Sequence, residues 1–136
     1  MRKLYFAIAS VLFIFSACTK TSLKKNTTCA INEPPAIKVI TPTTTPTLKP
    51  GEILQIKAIF SDHDIVYVAS WEALRASAVC GNNPYSGQFE PKTDEFEMNV
   101  KFFIPLNFAG DQIIRLYGVD GQGNISTLDI PFKATN

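Results

Sequence analysis

The chain has 136 residues, 13 basic and 12 acidic side chains and a formal charge of +1, a balance that gives no electrostatic reason to expect nucleic acid, which demands a strongly basic face. Its length suits one domain with one core. The single histidine excludes a His–His metal pair.

Met1-Arg2-Lys3 is a short basic head, and Leu4 to Phe15 is an almost unbroken apolar run. Ser16-Ala17-Cys18 then ends it in small residues and a cysteine. The layout reads as a secretory signal peptide over residues 1–17. The uncharged run is shorter than the roughly 20 residues a membrane-crossing helix needs, so a transmembrane anchor with an uncleaved cysteine is the alternative. The small-small-Cys ending resembles a bacterial lipobox. That resemblance implies cleavage before Cys18 and lipidation of Cys18 itself. Cleavage there removes Arg2 and Lys3, two of the 13 basic residues, against 12 acidic ones, and leaves the side chains at about −1.

Residues 18–35 read as a lipidated, flexible tether. Lys20, Lys24 and Lys25 among Thr, Ser and Asn offer no apolar area to bury. The lysines suit either anionic headgroups or plain solvation. Pro34-Pro35 stiffens the end of the tether and marks the boundary of a domain over 36–136. Cys29 and Cys80 are an even pair outside the cytoplasm. A disulfide between them would close a loop of about fifty residues and add about 4 kcal/mol on the chain-entropy model; two free thiols are the other reading.

Within the domain, Ala36 to Thr41 reads as a strand, and Pro42 to Pro50 as a Thr-Pro-rich loop that cannot join a central ladder. Pro50-Gly51 is a turn pair. Glu52 to Ser61 alternates, with Leu54, Ile56, Ala58 and Phe60 on one face. Ser61-Asp62-His63-Asp64 reads as a polar turn. Ile65 to about Trp71 is β-branched and aromatic and reads as a strand, with Tyr67 and Trp71 in the core by parity. Helix formers follow from Glu72 to Ala76, and the secondary structure of 72–80 stays open. Cys80 to Pro91 reads as a long surface loop of the kind that carries function.

Asp94 to Ile104 alternates most cleanly, with Phe96, Met98, Val100 and Phe102 inward. Pro105 to Gly110 turns the chain. Gln112 to Val119 is the next strand, with Ile114, Leu116 and Gly118 inward. Asp120 to Asn124 forms a tight connection, its glycines suited to positive φ. Ile125 to Lys133 closes the fold, with Leu128, Ile130 and Phe132 inward and Pro131 marking an edge. About seven short strands with turns at these intervals imply an all-β, antiparallel β-sandwich.

The strand leading to Pro50-Gly51 and the alternating strand ending Phe60-Ser61-Asp62 resemble the opening half of bacterial immunoglobulin-like domains. Pro105, Asn107, Ala109-Gly110, Val119-Asp120 and Gly123-Asn124-Ile125-Ser126 resemble the closing half. With the lipobox, the chain resembles Bacteroidetes-type lipoproteins carrying an immunoglobulin-like domain of unknown function. That resemblance implies a binding or structural module in the cell envelope, at the outer membrane, and not an enzyme. Thr19 and the lysines that follow stand where acidic residues signal export to the outer face in this group, which tilts the expected orientation toward the periplasm.

Four candidate chemistries remain. Asp62, Asp64 and Asp120 supply carboxylates for a hard cation such as calcium, or else cap their own turns; no other cofactor is expected. Ser61, His63 and Asp64 contain triad residue types, but as neighbours in one turn they lack the oriented scaffold a triad needs. Tyr85, in the long loop, is the candidate platform for carbohydrate. Phe103 and Phe108 fall outside the inward set, either as an apolar patch for an envelope protein or as a cover for one end of the sandwich.

Overall fold

The computed structural model describes residues 33–75 and 85–135, all within one compact unit, Ile31–Asn136. Cys18, Cys29 and Cys80, and with them the lipidation and disulfide expectations, lie outside the described residues. Among the described residues seven strands run in order: β1 (Ala36–Thr41), β2 (Thr47–Leu48), β3 (Ile53–Arg75), β4 (Ser86–Phe89), β5 (Thr93–Phe103), β6 (Gly110–Asp120) and β7 (Ile125–Ala134). No helix occurs among the described residues.

The organising element is β3. Its first half pairs antiparallel with β1 and with β5. Its second half pairs antiparallel with β4 and with β6, and β7 follows β6. Leu54 lies opposite Phe102, yet the indole of Trp71 is 5.8 Å from that same Phe102 ring. A straight strand from Leu54 to Trp71 would separate them by about 55 Å. So β3 folds back on itself, and its halves belong to two facing layers, β1–β3–β5 and β4–β3–β6–β7. The sequence separates two strands with a turn at Ser61–Asp64; here the strand is continuous and the turn is a bulged fold-back within it. The register against β5 slips between Ser61 and Val66. The Asp62 carboxylate accepts hydrogen bonds from the Asp64 and Ile65 N–H groups there.

A second bulge follows at once. Val66 pairs with Asp120 and Val68 with Val119, so Tyr67 is an extra residue. Such an insertion reverses the inward and outward alternation. Leu54, Ile56, Ala58, Phe60 and Val66 point inward at even positions, but Ala69 and Ala73 do so at odd ones. Tyr67 is therefore exposed, contrary to its expected place in the core, with Lys92 Nζ 5.4 Å above its ring. Trp71 does pack on the core, against Phe102 and over Gly87.

The core fills the space between the layers, with Phe60, Met98, Ile114, Leu116 and Phe132 fully buried. The expected alternation of β5 holds: Met98 and Phe102 are buried and Phe96 and Val100 half-buried against them. Pro35, read as the last residue of the tether, is buried instead; it and Phe60 crowd Gly118, where an added Cβ would lie 3.2 to 3.3 Å from their atoms. Leu128 is exposed although its parity pointed it inward. After the cis peptide Thr41–Pro42 the chain leaves the first layer, and Thr47–Leu48 pairs in parallel with Lys133–Ala134 of the second. The expected Thr-Pro loop thus contributes one short edge strand. Likewise Ser86–Phe89, expected as loop, forms β4.

Candidate functional site

The strand pairings place the connections at two ends. At the first end lie Pro35, the fold-back at Ser61–Ile65 and the turn at Asp120–Asn124, since Ala36 pairs with Ser61 and Val66 with Asp120. At the second lie the turn at Lys49–Glu52, the connection 104–109 and the end of β7, since Ile53 pairs with Phe103 and Gly110 with Ala134.

The first end holds Asp62, His63, Asp64 and Asp120. Asp120 is buried. Its Oδ1 accepts the Gln122 and Asn124 N–H groups, each at 2.8 Å, and its Oδ2 accepts the Asn124 side-chain amide. Burial pushes the Asp120 carboxyl up, but the hydrogen bonds from Asn124, Gln122 and Gly123 outweigh it and hold the carboxyl below the usual range. Asp62 is engaged by the fold-back. Asp64 Oδ2 accepts the Gln122 amide at 3.2 Å, which ties the two turns together. The three aspartates therefore cap and join turns. Among the described residues no group of three acidic, His or Cys side chains is arranged to hold a metal ion. His63 is almost fully exposed and 3.6 Å from Asp64, with no orienting scaffold around it.

The candidates read in the second half of the chain separate. Tyr85 is half-buried and packs on the core, its ring edge-on to Phe102 and Phe108 at 5.8 and 5.5 Å. Its carbonyl accepts the Ala73 N–H. It is an inward wedge and not a loop platform. Phe108 is 2% exposed and stacks on Phe132. It plugs the second end of the core, as the cover for one end of the sandwich and not as part of an exposed patch. Phe103 is 62% exposed. It lies directly opposite Ile53, itself 46% exposed, and Leu106 in the following turn is 87% exposed. Hydrogen bonds from Gly51 N–H to the Ile104 carbonyl and from Ile104 N–H to the Glu52 carbonyl close the ladder beneath them. The second end thus presents three large apolar side chains to solvent on a hydrogen-bonded base. Ile53 was missed because parity alone does not distinguish a covered outer face from a bare one, and Leu106 because it lies in a turn, where parity gives no direction.

The outer face of the second layer carries a polar ladder that the sequence reading also missed. Tyr117 donates to Glu72, and Arg115 forks onto Asp129 at 2.7 and 2.9 Å. Burial and the Glu72 contact raise the Tyr117 hydroxyl above its ordinary range. The hydrogen bond from Arg115 holds the Asp129 carboxyl low. Counting outward from the Asp120–Asn124 turn pairs Arg115 with Asp129, so that contact had a signal. Glu72 had none, because its register depends on the bulge at Tyr67. Beside Asp129 a shallow hollow of about 240 Å³ is lined by Val39, Thr43, Thr44 and Pro131 among others.

The fold is similar to that of solved structures. The chain is similar to the fibronectin(III)-like modules of Clostridium thermocellum CbhA, with 12% identity, a TM-score of 0.50, and 74% of this chain and 96% of that one covered. The domain is an immunoglobulin-like β-sandwich. A weaker likeness joins the sandwich to the human F-spondin reeler domain, at 13% identity and a TM-score of 0.47 over 76% of this chain and 83% of that one. No protein-family profile matches the sequence, and no curated protein does.

Proposed function

We propose that the protein is a cell-envelope lipoprotein, anchored through Cys18 at the outer membrane, whose immunoglobulin-like sandwich is a binding module for another envelope protein. One observation carries the choice of partner: Ile53, Phe103 and Leu106 stand exposed together at the end of the sandwich away from Pro35, where the chain comes in. A protein contact removes such side chains from water at about 25 cal/mol per Å², and aromatic anchors of this kind dominate interface energies. A carbohydrate platform at Tyr85 loses its basis, since that ring faces the core. A catalytic role finds no support in the first end, where the Asp62 and Asp120 oxygens serve backbone and amide donors.

Two experiments test the reading separately. Mass spectrometry of the mature amino terminus should find a lipidated Cys18, and Cys18→Ser should release the protein from membranes; unchanged partitioning sinks the anchor. A photo-reactive residue at position 106 should cross-link in cells to one envelope protein that also co-purifies with the wild type. That association should be lost in the Phe103→Ser, Leu106→Ser double variant and kept in His63→Ala. Equal cross-linking from position 63 would remove the tip as the contact surface.

A further inference from the structure

We infer that β5 is a self-pairing edge, through which two copies of the chain join their first layers into one continuous antiparallel sheet. Among the described residues, β5 pairs with β3 and with no other strand. It is eleven residues long, and its far side therefore leaves a row of backbone N–H and C=O groups for another strand. Edges of this length are templates for pairing unless charge opposes it.

The charges on β5 oppose most partners but fit a second copy. Its outward residues are Glu95, Glu97, Asn99, Lys101 and Phe103, all exposed. Glu97 is held by Lys57 of the neighbouring strand at 3.1 Å, and Asn99 by the Gln55 amide. Glu95 and Lys101 have no ion-pair partner among the described residues. They stand three positions either side of Met98, which is also the middle residue of the strand. Antiparallel pairing about a two-fold axis at Met98 overlaps the strand with its copy along its whole length. It sets Glu95 opposite Lys101 of the second copy, and Lys101 opposite Glu95, so both unpaired charges are matched twice. Glu97 then faces Asn99, and Thr93 faces Phe103, which covers part of that exposed ring. Cross-strand partners of opposite charge stabilise a sheet and like charges directly opposite destabilise it. The alternation is preserved, so Phe96 meets Val100 on the inner side and the two cores become continuous along the sheet. A two-fold arrangement of this kind closes on itself and does not propagate into fibres. The inference goes beyond the proposed function; it shares Phe103 with the tip, and its test reads Glu95 and Lys101, which lie on the strand edge and not at the end of the sandwich.

A charge swap tests it. The full chain, extracted in detergent, is measured by sedimentation equilibrium in density-matched buffer over a range of concentrations. The wild type should form dimers. Glu95→Lys and Lys101→Glu each place like charges opposite one another at two points, and each should weaken dimerisation about tenfold or more. The double variant Glu95→Lys, Lys101→Glu restores complementarity and should restore the dimer. Circular dichroism checks that the single variants are folded, which their exposed, unpaired positions predict. A wild type that stays monomeric throughout, dimers indifferent to the single swaps, or a double variant no better than the singles would each overturn the pairing.

Discussion

The two ends of the sandwich use their side chains in opposite ways. The first end is rich in groups that suggest chemistry, and its aspartates answer backbone and amide donors from their own turns or a neighbouring one. The second end has little that suggests chemistry, yet it splits its apolar residues sharply: Phe108 and Tyr85 turn in to seal the core, while Ile53, Phe103 and Leu106 stay out. The difference teaches that residue type is a poor guide to availability. An aspartate whose oxygens already accept several N–H groups is part of the backbone's hydrogen bonding, whereas a leucine with nothing over it is free to make a contact.

The contrast can be broken first at Phe108. Phe108→Ala should cost about 3 to 5 kcal/mol in chemical denaturation, because it opens a cavity beneath Tyr85, Phe102 and Phe132. A cost below 1 kcal/mol would show that the second end is not sealed by this ring. Next comes Asp120→Ala, which strands the Gln122 and Asn124 donors and should lower the melting temperature by several degrees. It should also flatten the acid limb of the stability profile. The folded Asp120 carboxyl lies below its ordinary value, so its contribution is complete above the unfolded pKa and is lost as pH falls below about 4 and through the folded pKa. A variant with an acid limb as steep as wild type would assign that limb elsewhere, Asp129 being the next group held low. Asp62→Ala should cost about 1 to 2 kcal/mol, the net value of two hydrogen bonds, since it frees the Asp64 and Ile65 amides of the fold-back. Smallest of all, Leu106→Ser should leave stability within about 0.5 kcal/mol while weakening association at the tip. A large loss of stability there would make Leu106 part of the fold and erase the contrast.

Much of this architecture was legible because alternation survives wherever one face of a strand is covered. Glu52 to Ser61 and Asp94 to Ile104 disclosed their inward faces correctly, and the positive φ of Gly51 and Gly123 sits where the turn chemistry put it, whereas Gly121, expected to share it, does not. Legibility failed where a single backbone event moved many side chains. The extra residue at Tyr67 reverses parity through Ala73, so one unseen bulge misplaced Tyr67 and hid the Glu72–Tyr117 contact. β4 escaped because Ser86, Gly87 and Gln88 have weak strand preference; their pairing is dictated by Trp71, whose indole needs a residue without a Cβ at Gly87. Tyr85 was misread, and Phe108 was left between two readings, for a related reason. Both sit in connections, where period gives no inward direction, and only the tertiary gap at the second end decides that their rings enter it. The candidate site suffered most: the three aspartates were found as a cluster, but the donors that occupy them lie in Gln122, Asn124 and the backbone.

The fold-back of β3 also sets an order of events. Residues 53–75 are synthesised early, but the strands that cover them come tens of residues later: β5 completes the first layer and β6 the second. Of the strands that pair with β3, only β1 precedes Ile56, Phe60 and Val66 in the chain. Non-local pairings of this kind close slowly, and an uncovered strand edge is exposed to aggregation meanwhile. The same continuity that lets one strand serve both layers makes the chain dependent on its last third, and a chain stopped before Gly110 would leave the longest described strand without β6 and β7.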